Sequence, residues 1–100
     1  MMYPFMTLND NTEITYSSPI ISNKGQLVKV YIETPIKNGF KSASCMLPQY
    51  DWENHGYTDK EMDYLRELIK SVAHIIVRLS KEGGSQLPPP EGGGTLGQNS

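Results

Sequence analysis

Asp51, Glu53 and His55 crowd into one short stretch, with His55 four places after Asp51; this is the pattern in the chain that most resembles an acid–base pair or a metal site. A zinc ion needs three or four ligands backed by a second shell, and the remaining soft donors are scattered at His74 and at the single cysteine, Cys45. No metal set follows, and the stretch reads as a polar loop with solvated charges. Cys45 alternates with Ala43 and Leu47 on an apolar face and has no neighbouring base or cation to stabilise a thiolate, so a buried, unreactive thiol is expected. His74 falls on a helical wheel with Glu67, Lys70, Ser71 and Arg78, which makes it a surface histidine rather than a pH-sensing contact. Gly92–Gly94 is not followed by a Lys-Ser/Thr pair or a helix start, as a phosphate-cradling loop would be. The residues therefore point to no catalytic group, no cofactor and no metal, and to a protein that is not an enzyme.

Aromatic residues surround the same stretch. Tyr50, Trp52 and Tyr57 flank His55, and Tyr31 lies on the outward side of the best strand. Trp and Tyr dominate binding hot spots, so Tyr31, Tyr50, Trp52, His55 and Tyr57 form the candidate partner-binding set. The competing role is packing, because a chain with two phenylalanines needs other large groups for its core. Trp52 inside and one tyrosine outside is the expected division.

These residues must be held by the elements around them. Residues 58–84 read as one amphipathic helix. Thr58 and Glu61 form a capping-box pattern, Met62, Leu65, Leu68, Ile69, Val72, Ile75, Ile76 and Leu79 recur at helical spacing, and Gly83-Gly84 suits a left-handed C-terminal cap. Before it, residues 13–18, 27–34 and 40–47 alternate in the manner of strands; Val28, Val30 and Ile32 oppose Lys29, Tyr31 and Glu33 most cleanly. Pro19 breaks the first strand, with Ile20 and Ile21 able to resume pairing beyond it because a bulge or an edge position tolerates the proline. Ser22–Gly25 is turn chemistry, Asn38-Gly39 is a hairpin signal within a longer loop, and Pro48 ends the last strand. Residues 3–8 add a fourth, edge strand, and residues 49–57 read as a crossover loop with a helical turn near 51–54. The expected fold class is α+β: a three- to four-stranded antiparallel β-meander packed against one long C-terminal helix.

Composition bounds the rest. One hundred residues make one domain, placed at 1–84, whereas 85–100 carries Pro88–Pro90 and Gly92–Gly94 and is too poor in apolar groups to offset its ordering entropy, so a disordered tail is expected. The net charge of −2 argues against affinity built on phosphate contacts or an anionic membrane. The helix face mixes Arg66, Lys70, Arg78 and Lys81 with Asp63, Glu67 and Glu82, unlike a uniform basic stripe. A single cysteine fits a reducing cytoplasm, residues 1–8 lack the basic flank of a signal peptide, and no apolar run is long enough to span a bilayer.

Several short runs together resemble small accessory proteins of bacterial mobile elements and prophages. They are Pro4 to Ile14, Val30-Tyr31-Ile32-Glu33-Thr34-Pro35, Gly39-Phe40, Cys45-Met46-Leu47-Pro48, Tyr50-Asp51-Trp52-Glu53, and Ala73-His74 through Glu82-Gly83-Gly84. The resemblance covers residues 4–84, leaves the tail outside, and implies a mobile-DNA context with no catalytic residues. The reading is thus a non-enzymatic protein–protein interaction module, an accessory or inhibitor protein of a phage or mobile element. Its partner is an unknown protein or a second copy in a homodimer. The alternative is a nucleic-acid-binding regulator or antitoxin-like protein using Lys24, Lys29, Lys37 and Lys41.

Overall fold

The structure, a computed structural model, describes residues 2–83; the expected tail at 85–100 lies outside the described residues. Six strands form one antiparallel sheet: β1 (Met2–Thr7), β2 (Glu13–Ser17), β3 (Ile20–Ser22), β4 (Gly25–Ile36), β5 (Gly39–Leu47) and β6 (Asp51–His55). A single helix, α1 (Asp59–Lys81), follows. The spatial order is β1-β2-β4-β5-β6, with β3 also paired to β4. The α+β class holds, with more strands than the meander of three or four expected from sequence.

One departure from the sequence reading, β6, and one pairing that it allowed, β3, account for the extra strands. Residues 49–57 are not a crossover loop with a helical turn: β6 runs beside β5 in unbroken register from Met46↔Asp51 to Ser42↔His55. Its Asp-Trp-Glu-Asn-His sequence has no β-branched residue, so the pairing comes from β5 rather than from local preference. At Pro19 the pairing resumes at Ile20 and Ile21, as the sequence allows. Tyr16 pairs with Val30 and Ile20 with Leu27, so four steps on one strand face three on the other, the signature of a bulge. Ser17 covers the gap, its hydroxyl accepting the Lys29 amide at 2.9 Å.

β4 is the spine, paired to β2 and β3 on one side and to β5 on the other. It extends past the expected end through Pro35, which faces Phe40, and turns at Lys37-Asn38 between Ile36 and Gly39. Pro35 is tolerated because β2 pairs no further than Glu33, so no ladder partner on that side needs its missing amide proton.

Alternation sends Val28, Val30, Ile32 and Thr34 from β4 and Ala43, Cys45 and Leu47 from β5 to one face. Ile14 and Tyr16 of β2 join them, and α1 covers this layer with Met62, Leu65, Ile69, Ala73 and Ile76. Leu68, Val72 and Leu79 of the expected stripe are half-buried along its flank. Trp52, Tyr3, Phe5 and Met6 are half-buried against the margins of this core. The capping box is complete, with the Thr58 hydroxyl accepting the Glu61 amide at 3.1 Å and the Glu61 carboxylate accepting the Thr58 amide at 2.9 Å. At the other end Gly83 takes a φ of 83°, as a left-handed cap requires. Among the described residues no helix is long and apolar enough to cross a membrane.

Ser80, absent from the apolar pattern, is fully buried and donates to the Ser17 carbonyl at 2.7 Å, tying the end of α1 to the bulge. Ser80→Ala leaves that buried carbonyl without its partner and should cost about 1–3 kcal/mol. Ile69→Ala, which hollows the centre of the layer, should cost about 2–5 kcal/mol. Chemical denaturation of both variants measures the two losses; a change below about 0.5 kcal/mol for Ser80→Ala would show that the hydroxyl tie contributes nothing.

Candidate functional site

The chain joining β6 to α1 is short and tightly specified. Asn54 closes it, donating from its amide to the Tyr57 carbonyl at 2.8 Å and accepting the Tyr57 amide at 2.9 Å. Gly56 between them has φ 114°, and a Cβ there would lie 2.8 Å from the Cβ of Lys41. This closure drops Tyr57 into the layer between sheet and helix, where it is buried.

Tyr57 heads a chain of buried hydroxyls. Its phenol bonds the Thr34 hydroxyl at 2.7 Å, which bonds the Thr12 hydroxyl at 2.6 Å. The hydroxyl and amide of Thr12 hold the Asp10 carboxyl below its usual range. Burial pushes the Tyr57 phenol up, against the opposing pull of the Thr34 hydroxyl and the Lys41 charge. Lys41 sits 5.4 Å from the Tyr57 ring centroid and donates to Glu61 at 2.6 Å. That bond and the Thr58 amide depress the Glu61 carboxyl. The groups line a cleft of about 370 Å³ at the start of α1, whose apolar wall is Leu8, Tyr64 and Leu65. Its polar atoms are largely spent on one another, which makes it chiefly a junction of three chain segments.

The opposite face of the sheet has no covering layer among the described residues. Lys29, Tyr31 and Glu33 of β4, Ser42, Ser44 and Met46 of β5, and Asp51, Glu53 and His55 of β6 project there, as the alternation with the buried set requires. Tyr31 lies half-buried opposite Ser44. His55 and Glu53 are exposed, with Nε2 and Oε1 3.7 Å apart. A depression of about 430 Å³ runs over this half of the face between Lys29, Met46 and the β6 residues.

The five residues singled out in the sequence are thus dispersed. Tyr31 and His55 share the open face. Trp52 pairs with Cys45 on the helix side and is half-buried against the core. Tyr57 is buried, and Tyr50 stands exposed in the β5–β6 turn with φ 62°. Cys45 is fully buried, and burial, with a smaller contribution from the Asp51 charge, pushes its thiol up to about 12. His74 is exposed on α1. Among the described residues no three His, Cys, Asp or Glu side chains are grouped to hold a metal ion. Thr12, Thr34 and Lys41 were not legible as a cluster, because their partners lie far away in sequence.

Comparison with known proteins finds no matching family model, no matching curated protein and no matching solved structure.

Tyr57→Phe removes one end of the hydroxyl chain while Thr34 keeps Thr12, so a loss of about 1 kcal/mol is expected by denaturant titration. Glu61 has a folded pKa below its ordinary 4.5. Its contribution is present above that value and is lost as pH falls through the lower folded one. The melting temperature should therefore fall on acidification below about pH 4.5, and Lys41→Met should shrink that fall; an unchanged acid limb would show that the pair is fully screened.

Proposed function

We propose that this chain is a non-enzymatic protein-binding module that docks a partner protein on the open face of its sheet, and that it serves as a cytoplasmic accessory or inhibitor protein of a phage or other mobile element. The observation that carries the reading is the sheet face opposite α1. It offers Tyr31 and Met46 among the small hydroxyls Ser42 and Ser44, with charged groups at the margin. Tyrosine and methionine are among the residue types enriched in protein interfaces, and the serines beside them can hydrogen-bond a partner's polar groups. The mobile-element context rests on the resemblance of residues 4–84 alone.

The nucleic-acid reading has less support. Lys41 is spent on Glu61 on the helix side, and Lys29 shares the open face with Glu33, Asp51 and Glu53. A phosphate backbone needs a continuous positive strip.

The test is affinity capture from the source lysate with the full chain, with and without nuclease, beside the Tyr31→Ala/Met46→Ala variant. One stoichiometric protein should survive nuclease and be lost at least tenfold with the variant, whose melting temperature should stay within about 5 °C of the parent. Recovery of nucleic acid, or of protein only without nuclease, would instead favour the regulator.

A further inference from the structure

Among the described residues three strands have an unpaired side, β1, β3 and β6, and they differ in kind; β3, at three residues, is too short to seat more than a residue or two of a further strand. β1 carries Pro4, which has no amide proton, and its register with β2 breaks between Pro4 and Met6. Proline and a bulge are among the devices by which natural sheets spoil an edge for further pairing; charged side chains are another, and they deter chiefly a strand of like charge. β6 has neither. Its register with β5 is continuous, and its far end is held by the paired Asn54–Tyr57 bonds. Alternate residues of such a strand turn their N–H and C=O groups away from β5, ready for another strand.

We propose that the free edge of β6 accepts an extended, lysine- or arginine-bearing segment of the partner protein as an added antiparallel strand, an inference that rests on the protein-binding reading above. The side chains of β6 state what that strand must carry. Asp51 and Glu53 project on the open face, and Glu53 is 78% exposed. A residue directly opposite each would lie about 4.5–5.5 Å away between Cβ atoms, where an opposite charge stabilises and a like charge destabilises. On the other face the half-buried Trp52 calls for an apolar neighbour. The occupant therefore alternates basic residues on one side with apolar ones on the other. Backbone pairing supplies affinity and the alternate side chains supply selectivity.

Charge and strand length also weigh against the nearer candidates. A second copy paired antiparallel about Glu53 sets that carboxylate against its own twin, and pairing about Trp52 sets Asp51 against Glu53. Pairing about Asn54 opposes Glu53 to His55 but leaves Asp51 and Trp52 beyond the partner's strand, so a second copy uses less of the edge than a basic segment does. Residues 84–100 of this chain contain no lysine or arginine, and three of them are consecutive prolines, Pro88–Pro90.

Trp52 is the only tryptophan in the chain and stands on the edge strand itself, so its fluorescence reports the site directly. The full chain is titrated with an eight-residue alternating Lys-Val peptide, with its Glu-Val counterpart, and with a Lys-Val peptide N-methylated at alternate amides. Amide exchange of the chain is followed by NMR. The Lys-Val peptide should change Trp52 emission saturably and slow exchange at the outward amides of β6 at least tenfold. N-methylation should weaken it at least tenfold. Asp51→Lys/Glu53→Lys should transfer the preference to the Glu-Val peptide. Equal binding of the N-methylated peptide, equal binding of the Glu-Val peptide, or no response at Trp52 and β6 would overturn strand addition. A footprint confined to Tyr31, Ser44 and Met46 would overturn it too, while leaving the open-face reading intact; failure of that reading is seen separately, in loss of the Tyr31/Met46 dependence of capture.

Discussion

One helix has to cover a sheet wider than itself. An α-helix with its side chains is about 10–12 Å across, whereas strands sit about 4.8 Å apart, so five abreast span about 20 Å. α1 accordingly seals the middle of the sheet, where Ile14, Val30, Ile32, Cys45 and Ile69 are excluded from water. The margins need bulk from the strands themselves. On the β1 side Tyr3 and Phe5 pack on Tyr16 with ring centroids 5.6 and 6.4 Å apart. On the β6 side Trp52 performs the same task. The aromatic residues that looked most like a recognition cluster are thus divided by this shortage of cover: some close the layer, and Tyr31 and Tyr50 do not.

Hydroxyl groups settle where the helix lies along the sheet. At its start, Tyr57, Thr34 and Thr12 join the β6–α1 connection to β4 and to the segment before β2. At its end, Ser80 reaches the carbonyl of Ser17 where the strand bulges. The hydrophobic effect is non-directional and fixes the position of a helix only through the fit of its side chains, whereas a displaced helix would also leave these buried polar groups unpaired. Glu61 adds to the fixing, since one carboxylate completes the N-cap and grips Lys41 of β5.

Legibility in the sequence follows the range of the interaction. The helix and both of its caps were readable because Thr58, Glu61 and Gly83 act on near neighbours. β4 was readable because a strand buried on one face must alternate, as Val28, Val30 and Ile32 do. β6 was not, because Trp52 is its one sizeable apolar residue and the ladder with β5 makes it a strand. Ser80 and Thr34 were not either: a buried hydroxyl looks like any other in sequence until its distant partner is placed. The same holds for the candidate surface, where Tyr31 and His55 share a face although two turns and the whole of β5 separate them in the chain.

Cys45 makes the molecule its own clock. The chain has one thiol, two residues before the end of β5 with no exposed surface, and its protonated form is held far above neutral pH. An alkylating reagent in solution meets that sulfur only when the layer between sheet and helix parts. At high reagent concentration the labelling rate becomes the rate at which the core opens, and at low concentration it becomes the open fraction multiplied by an ordinary thiol's reactivity. A bound partner that clamps the layer lengthens the interval; one that pries it apart shortens it. The lifetime of the closed core can thus be timed in crude mixtures, with no dye attached and no residue changed.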